Sequence, residues 1–413
     1  MRIVLPLIIL IIIGSPIHGQ EISSYDFDMN INVLSKKIHV KCTVEIDFND
    51  KDNIIFVLWK NTKIHSISCK QEDIYYFFDT LSPSPVMFIP NGGSLNIKKP
   101  EGNEEKQTIL FEYECDMKEL SGWAKAFSEE WIELNLYSGW YPVCWDSRRF
   151  TSSIKLTIDD DYKITGSGIV SRKTEHWEMI QPWRSSDNVI IASKKLNSKI
   201  FNEDKIYIEI VYSEFSDAEA DSVLIECKYI SKLYQRFYGN TDSIYLKFVI
   251  IPYMQGGYGR ENFATLRTKQ FDNYTRGGIA HEMAHFWWSN ADSKTWEDWL
   301  NEAFAEYSML LYFRDRLGME EFNSKIELYQ SRVQNTPPIW GTERDGPYAY
   351  TVLYEKGALL LYELELRLGQ DQFMNFLRLI LDHKIKTTDE LLKLVENELS
   401  KGEREWLEKQ LRL

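Results

Sequence analysis

From Tyr25 to about Tyr212 apolar and polar residues alternate in short runs separated by Pro, Gly, Asn and Asp: YDFDMNINV, KIHVKCTVEIDF, TILFEYECDM, WIELNLY, SSIKLTI and KIYIEIVY. A strand sends successive side chains to opposite faces, so this period of two predicts an antiparallel β domain, a sandwich or saddle, over residues 20–212. Near Ser213 the period lengthens. DAEADSVLIECKYISKLYQRFYG reads as an amphipathic helix, YLKFVIIP as a buried strand, and a glycine-rich turn follows. HEMAHFWW, WLNEAFAEYSMLLYFRDRLG, YEKGALLLYELELRLG and DELLKLVENELSKGEREWLEKQLRL then predict a mainly helical domain over residues 213–413. The expected fold class is α+β and multidomain.

Residues 1–19, MRIVLPLIILIIIGSPIHG, join a basic Arg2 to an apolar core and a small-residue end. That is the pattern of a secretory signal, too short and too weakly flanked for a spanning helix, so the mature chain is expected to be exported; an uncleaved anchor is the alternative. No later segment is apolar enough to cross a bilayer. With 48 basic against 62 acidic residues the net charge is −14, which argues against nucleic acid as a partner. Five cysteines, Cys42, Cys69, Cys115, Cys144 and Cys227, permit at most two internal bridges, and none has the spacing of a metal knuckle. Cys227 lies in the helical stretch and is expected to pack as a small apolar residue.

The candidate chemistry lies in GIAHEMAHFWWSNADSKTWEDWLNEAFAEYSML, residues 278–310. His281 and His285 are four apart, just over one helical turn, so both imidazoles leave the same face and can reach one metal ion. Glu282 stands beside them, placed to handle water at that metal. Zinc in a hydrolase takes three protein ligands and keeps one position open, and a carboxylate from a second helix is a common third ligand. WLNEAFAEY supplies Glu302 and Glu306 on one helix face; Glu302 is assigned to the metal and Glu306 to supporting a ligand imidazole.

HEMAHFWW followed by KTWEDWLNEAFAEY resembles the zinc aminopeptidases of the aminopeptidase N and leukotriene hydrolase group. The family usually places eighteen residues between the second His and the ligand Glu, whereas residues 286–301 make sixteen; eighteen would land on Phe304, which cannot ligate. Further matches extend the resemblance. YPVCWD is similar to the family's Pro-Cys-x-Asp, with Val143 inserted between Pro142 and Cys144. The family's amine-binding Glu or Gln, counted back from Pro142, falls on Glu133, whose strand position equally suits an outward, solvated side chain. MQGGYGRENFATLRT, residues 254–268, stands where the family has Gly-x-Met-Glu-Asn on an edge strand; Glu261 and Asn262 match, and Gly257 and Gly259 would let backbone approach a substrate. TVLYEKGA looks like the family's Y-x-K-G-A segment and makes Tyr354 its counterpart.

The resemblance implies a β domain followed by a thermolysin-like catalytic domain, in a short form without the large C-terminal helical domain of longer relatives. It implies one zinc ion held by His281, His285 and Glu302, Glu282 as general base, Tyr354 at the scissile carbonyl oxygen, and Glu261 with Glu133 holding the terminal ammonium of a peptide substrate. Arg260 would weaken that grip by pairing with Glu261. Two alternatives stand: an endopeptidase, because the ammonium anchor is the weakest match, and a non-catalytic binding module that keeps the fold.

Overall fold

Two clusters of buried apolar side chains organise the chain, which divides between them at Lys194 and Lys195. The computed structural model describes residues 21–413 except 50, 87–88, 102–103, 105, 123–124, 145–148, 204, 240–242 and 253–255. The signal expected at residues 1–19 lies outside the described residues, as do Asp146 and Met254 of the motif matches. Among the described residues no helix is long and apolar enough to cross a membrane.

The first unit is built of β-sheets. The longest runs of alternation become strands of one eight-stranded sheet, among them Glu21–Asn32, Lys37–Asp47, Lys106–Asp116 and Phe150–Thr157. In Lys37–Asp47 the period of two sends Ile38, Val40, Cys42, Val44 and Ile46 into the core, as the pattern requires. One pairing departs from the antiparallel expectation: Glu21–Asn32 runs parallel to Phe150–Thr157, with Ser24 opposite Thr151. Strands so far apart in sequence are not joined by a hairpin, and only hairpin neighbours are bound to be antiparallel. WIELNLY also departs, since only Ile132–Leu134 is extended before Asn135 caps a 3-10 turn at Leu136–Ser138. Val143, the inserted residue, is integrated by two backbone hydrogen bonds with Val57, of 2.8 and 2.9 Å. All five cysteines are buried and unbridged, and Cys227 packs among apolar residues as expected.

The second unit begins ahead of the change of period at residue 213. Strands Asn197–Glu203 and Ile206–Tyr212 alternate like those before them, yet they belong to a five-stranded sheet with Ile244–Ile251, Phe263–Arg267 and Gly256–Arg260, in that order. The boundary expected at 212 therefore moves to 194, because periodicity reports the kind of element and not which sheet it joins. Helix α1 (Asp217–Tyr238) makes the crossover that lets Ile206–Tyr212 and Ile244–Ile251 run parallel. Gly256–Arg260 is one edge of the sheet, opposite Asn197–Glu203, and is folded back on Phe263–Arg267 as a hairpin.

Helices α2 (Asn273–Ala284) and α3 (Trp299–Tyr312) follow, then α4 (Met319–Arg332), α5 (Gly357–Leu368) and three more to the C-terminus. Every residue of α3 except Glu302 is buried, which makes α3 the central helix of this unit's core. Gly357 lets α5 approach it closely, since a Cβ there would come within 2.5 Å of that of Ala303. Just before Gly357, residues Thr351–Lys356 widen into a π-helical turn that carries Tyr354, a distortion that α-helical periodicity does not foretell.

Candidate metal centre

Asp272 caps α2, its side chain accepting from the Thr275 backbone N–H at 2.9 Å. The helix carries His281 and Glu282 and ends at Ala284, with His285 as its C-cap, so HEMAHFWW is helical over its first half only. The two imidazoles still share a face, their centroids 5.0 Å apart. Beyond them the chain loops to α3, and Asn301 closes that loop: its side chain donates to the Ala291 carbonyl at 3.1 Å and accepts from the Ala291 N–H at 3.0 Å. The sixteen-residue connection thus delivers Glu302 without the longer spacer.

Glu302 Oε2 lies 3.2 Å from His281 Nε2 and 3.4 Å from His285 Nε2. Ligand atoms of these three residues all fall within 4.8 Å of one another, the only such His, Cys, Asp or Glu group among the described residues. The far nitrogens fix the tautomers. His285 Nδ1 is 2.9 Å from the Trp288 carbonyl oxygen, which can only accept, so Nδ1 carries a proton and Nε2 is the nitrogen turned toward Glu302. His281 Nδ1 is held the same way by Glu306 Oε2 at 2.7 Å, and the Tyr329 hydroxyl donates to the other Glu306 oxygen. Glu306 therefore stands in a supporting position, orienting a ligand imidazole from behind. Burial opposes ionisation of Glu302, but His285 and then His281 outweigh it and hold its carboxyl well below the usual range. Two imidazole Nε2 atoms, which would bind as neutral ligands, and one carboxylate are the donor set of a hydrolytic zinc site with an open position, so these residues fit that ion.

Three residues around Glu302 were not read from the sequence. Arg344 places Nη2 3.8 Å from Glu302 Oε1 while its Nε donates to Asp298 Oδ2 at 2.6 Å. Asp298 in turn accepts from the Asn301 side chain at 2.8 Å. Burial first, then the Glu302 charge, pushes the Asp298 carboxyl up to about 6. Arg344 lies between α4 and the π-helical turn in a loop with no periodic signal, so nothing in the pattern singles it out. Tyr329, the third, is one of 23 tyrosines and is distinguished only by its bond to Glu306.

Tyr354 stacks on His281, ring centroids 5.6 Å apart and planes within 10°, which puts it beside the metal ligands. Burial, then the charge of Glu302, raises its pKa well above the usual phenol value, so it keeps a proton to donate. Glu282 points toward the edge strand: a Cβ on Gly259 would lie 2.5 Å from Glu282 Oε2. Gly259 is thus a place of close approach, and its neighbour there is the candidate base. Gly257 is on the same strand but faces the hairpin partner, where a Cβ would meet the Thr265 carbonyl at 2.3 Å. Gly259→Ala is expected to displace the Glu282 carboxylate and lower kcat roughly tenfold or more, with zinc content unchanged. An unchanged kcat would show that Glu282 works from another position.

The ammonium anchors fare differently. Glu261 is not on the edge strand; with Asn262 it forms the two-residue turn beyond it, because Arg260 already pairs with Phe263. The strand position facing Glu282 belongs to Gly259, two residues earlier, and carries no charge. Matching the letters Glu-Asn set the wrong register, because the hairpin pairing and not the dipeptide decides which residues lie on the strand. Arg260 is held by the Tyr258 ring, 4.8 Å from its centroid, and donates to the Gly259 carbonyl at 2.6 Å. Glu133 belongs to the first unit, where it is 1 % exposed in Ile132–Leu134, so the outward solvated placement is excluded.

Residues 264–405 match the Peptidase family M1 domain. Leucine aminopeptidase 2 of Candida glabrata is 27% identical over 270 residues, 57% of this chain and 40% of that protein. Its namesake in Kluyveromyces lactis is 32% identical over 138 residues, 28% of this chain and 20% of that one. The matched stretch spans less than half the length of these curated relatives. Among solved structures, the M1 zinc metallopeptidase from Deinococcus radiodurans superposes with a TM-score of 0.71 at 17% identity, covering 96% of this chain and 94% of that one. Leukotriene A4 hydrolase from Saccharomyces cerevisiae gives 0.69 at 16% identity, covering 95% and 66%. The stretch that matches the Peptidase family M1 domain holds His281, Glu282, His285, Glu302 and Tyr354, in a chain that has the fold of the M1 zinc metallopeptidases.

Proposed function

We propose that this chain is an exported, zinc-dependent peptidase that removes residues from the amino terminus of peptides. The observation that carries the reading is the convergence of His281, His285 and Glu302 beside an adjacent Glu282. Export rests on the pattern of residues 1–19, and the amino-terminal preference on the relatives named leucine aminopeptidase. Zinc held by the three ligands supplies a Lewis acid that acidifies water and polarises a peptide carbonyl. Glu282 accepts a proton from the attacking water and passes it to the leaving amine. Tyr354, kept protonated by its surroundings, donates a hydrogen bond to the oxygen on which negative charge develops.

A second reading, endopeptidase, is favoured by one observation: the edge-strand position against Glu282 is Gly259, and Glu261 lies in the turn. Without a carboxylate at that position, selection for a free ammonium falls to other residues. Matched peptides with free and acetylated amino termini, assayed with zinc and after chelation, decide between the readings. Hydrolysis is expected to require zinc and to favour the free amine. Equal rates on blocked peptides support the endopeptidase, and activity that persists after zinc removal, verified by elemental analysis, rejects both.

A further inference from the structure

We propose that Tyr350 and Tyr274 form an aromatic subsite beside the metal cluster, which selects peptides carrying an aromatic or large apolar side chain within about three residues of the scissile bond. The inference rests on the peptidase reading and names the substrate class of the same site. Tyr350 lies with its ring centroid 4.7 Å from that of Tyr354, tilted by 30°, and Tyr354 in turn stacks on the ligand His281. The three rings form a stack running outward from the cluster. The outermost, Tyr350, is 56% exposed, so part of its apolar surface remains open to a ligand.

Tyr274 reaches the same region along α2. Positions 274, 278, 281 and 285 recur at spacings of four, three and four, so they line one face of the helix register that ends in the two metal ligands. Position 278 is glycine, and a Cβ there would come within 2.9 Å of the Leu266 side chain, so α2 packs closely on the sheet between Tyr274 and His281. Tyr274 is 53% exposed although its ring is large and apolar. Seven residues of helix separate it from His281 by about 10 Å, which is about three residues of extended peptide. Tyr350 continues the ring stack and Tyr274 stands about two helical turns from His281, so the two exposed rings offer aromatic faces to a substrate side chain at that reach, where stacking changes affinity by about three- to tenfold.

The experiment compares native protein, Tyr274→Ala, Tyr350→Ala and Tyr350→Phe on two peptide series identical except for Phe or Ala at positions flanking the scissile bond. Because Tyr350 also supports Tyr354, affinity is measured in parallel by titrating the same peptides into proteins that carry Glu282→Gln, where turnover does not intervene. Both Ala variants are expected to weaken Phe peptides about three- to tenfold and Ala peptides by less than about twofold, while Tyr350→Phe behaves as native. Equal losses on both series, or no loss on either, would overturn the subsite. A zinc-loaded native protein that hydrolyses none of the peptides would instead overturn the peptidase reading, and the titrations would still judge the subsite.

Discussion

Glu282→Gln is expected to bind zinc as the native protein does and to lose about 10²–10⁴-fold in kcat. Glutamine has the shape of glutamate, and none of the contacts that orient the ligands, His281 to Glu306 and His285 to the Trp288 carbonyl, involves residue 282. What the substitution removes is the capacity to accept a proton, because an amide nitrogen carries two protons already and the amide oxygen is a feeble base. Gly259 leaves room for the substituted amide in the same place against the edge strand, so misplacement does not confound the result. Metal content by elemental analysis and kcat on a good peptide substrate are the two readouts. A variant with stoichiometric zinc and kcat within tenfold of native would remove Glu282 from the proton-transfer role.

Glu302→Ala is expected to lose stoichiometric zinc, whereas Glu306→Ala should keep it with affinity lowered by about 10- to 100-fold. The two carboxylates are one turn apart on α3, and their distinct roles follow from which imidazole nitrogen each meets. Glu302 Oε2 sits between the two Nε2 atoms, on the side where their lone pairs converge. Glu306 meets only the Nδ1 of His281 and is itself bonded by Tyr329, so it orients a ligand without being one. Competition with a chelator of known affinity measures both variants. The reverse order, with Glu306→Ala losing the metal and Glu302→Ala retaining it, would exchange the assignments. Neither outcome depends on the substrate, so this test stands apart from the choice between aminopeptidase and endopeptidase.

The metal site was legible because its signals are local. Four-residue spacing places His281 with His285, and Glu302 with Glu306, on shared faces wherever the helices go. The only long-range step was that α2 and α3 face each other, and the burial of every α3 residue except Glu302 shows how strongly the apolar pattern of WLNEAFAEYSMLLY demands that packing. Cys227 followed the same logic, a small apolar residue on the inner face of α1.

Glu261 was misplaced for the opposite reason. Its role depended on the register of a hairpin, and a strand's register is set by the partner strand, so Arg260 opposite Phe263 put Glu261 into the turn and Gly259 against Glu282. The domain boundary moved in the same way, because Ile206–Tyr212 alternates like any half-buried strand and only its pairing with Ile244–Ile251 assigns it to the second unit. Arg344, Tyr329 and Tyr350 carry no spacing signal at all; each matters through its contacts with residues elsewhere in the site. Periodicity and short motifs thus determined the kinds of element and which of His281, Glu282, His285, Glu302 and Glu306 share a helix face, since those depend on side-chain direction within one helix. Tertiary structure alone decided which strand edge meets Glu282, which charge stands behind Glu302 and which rings line the approach, since those depend on how separate elements are brought together.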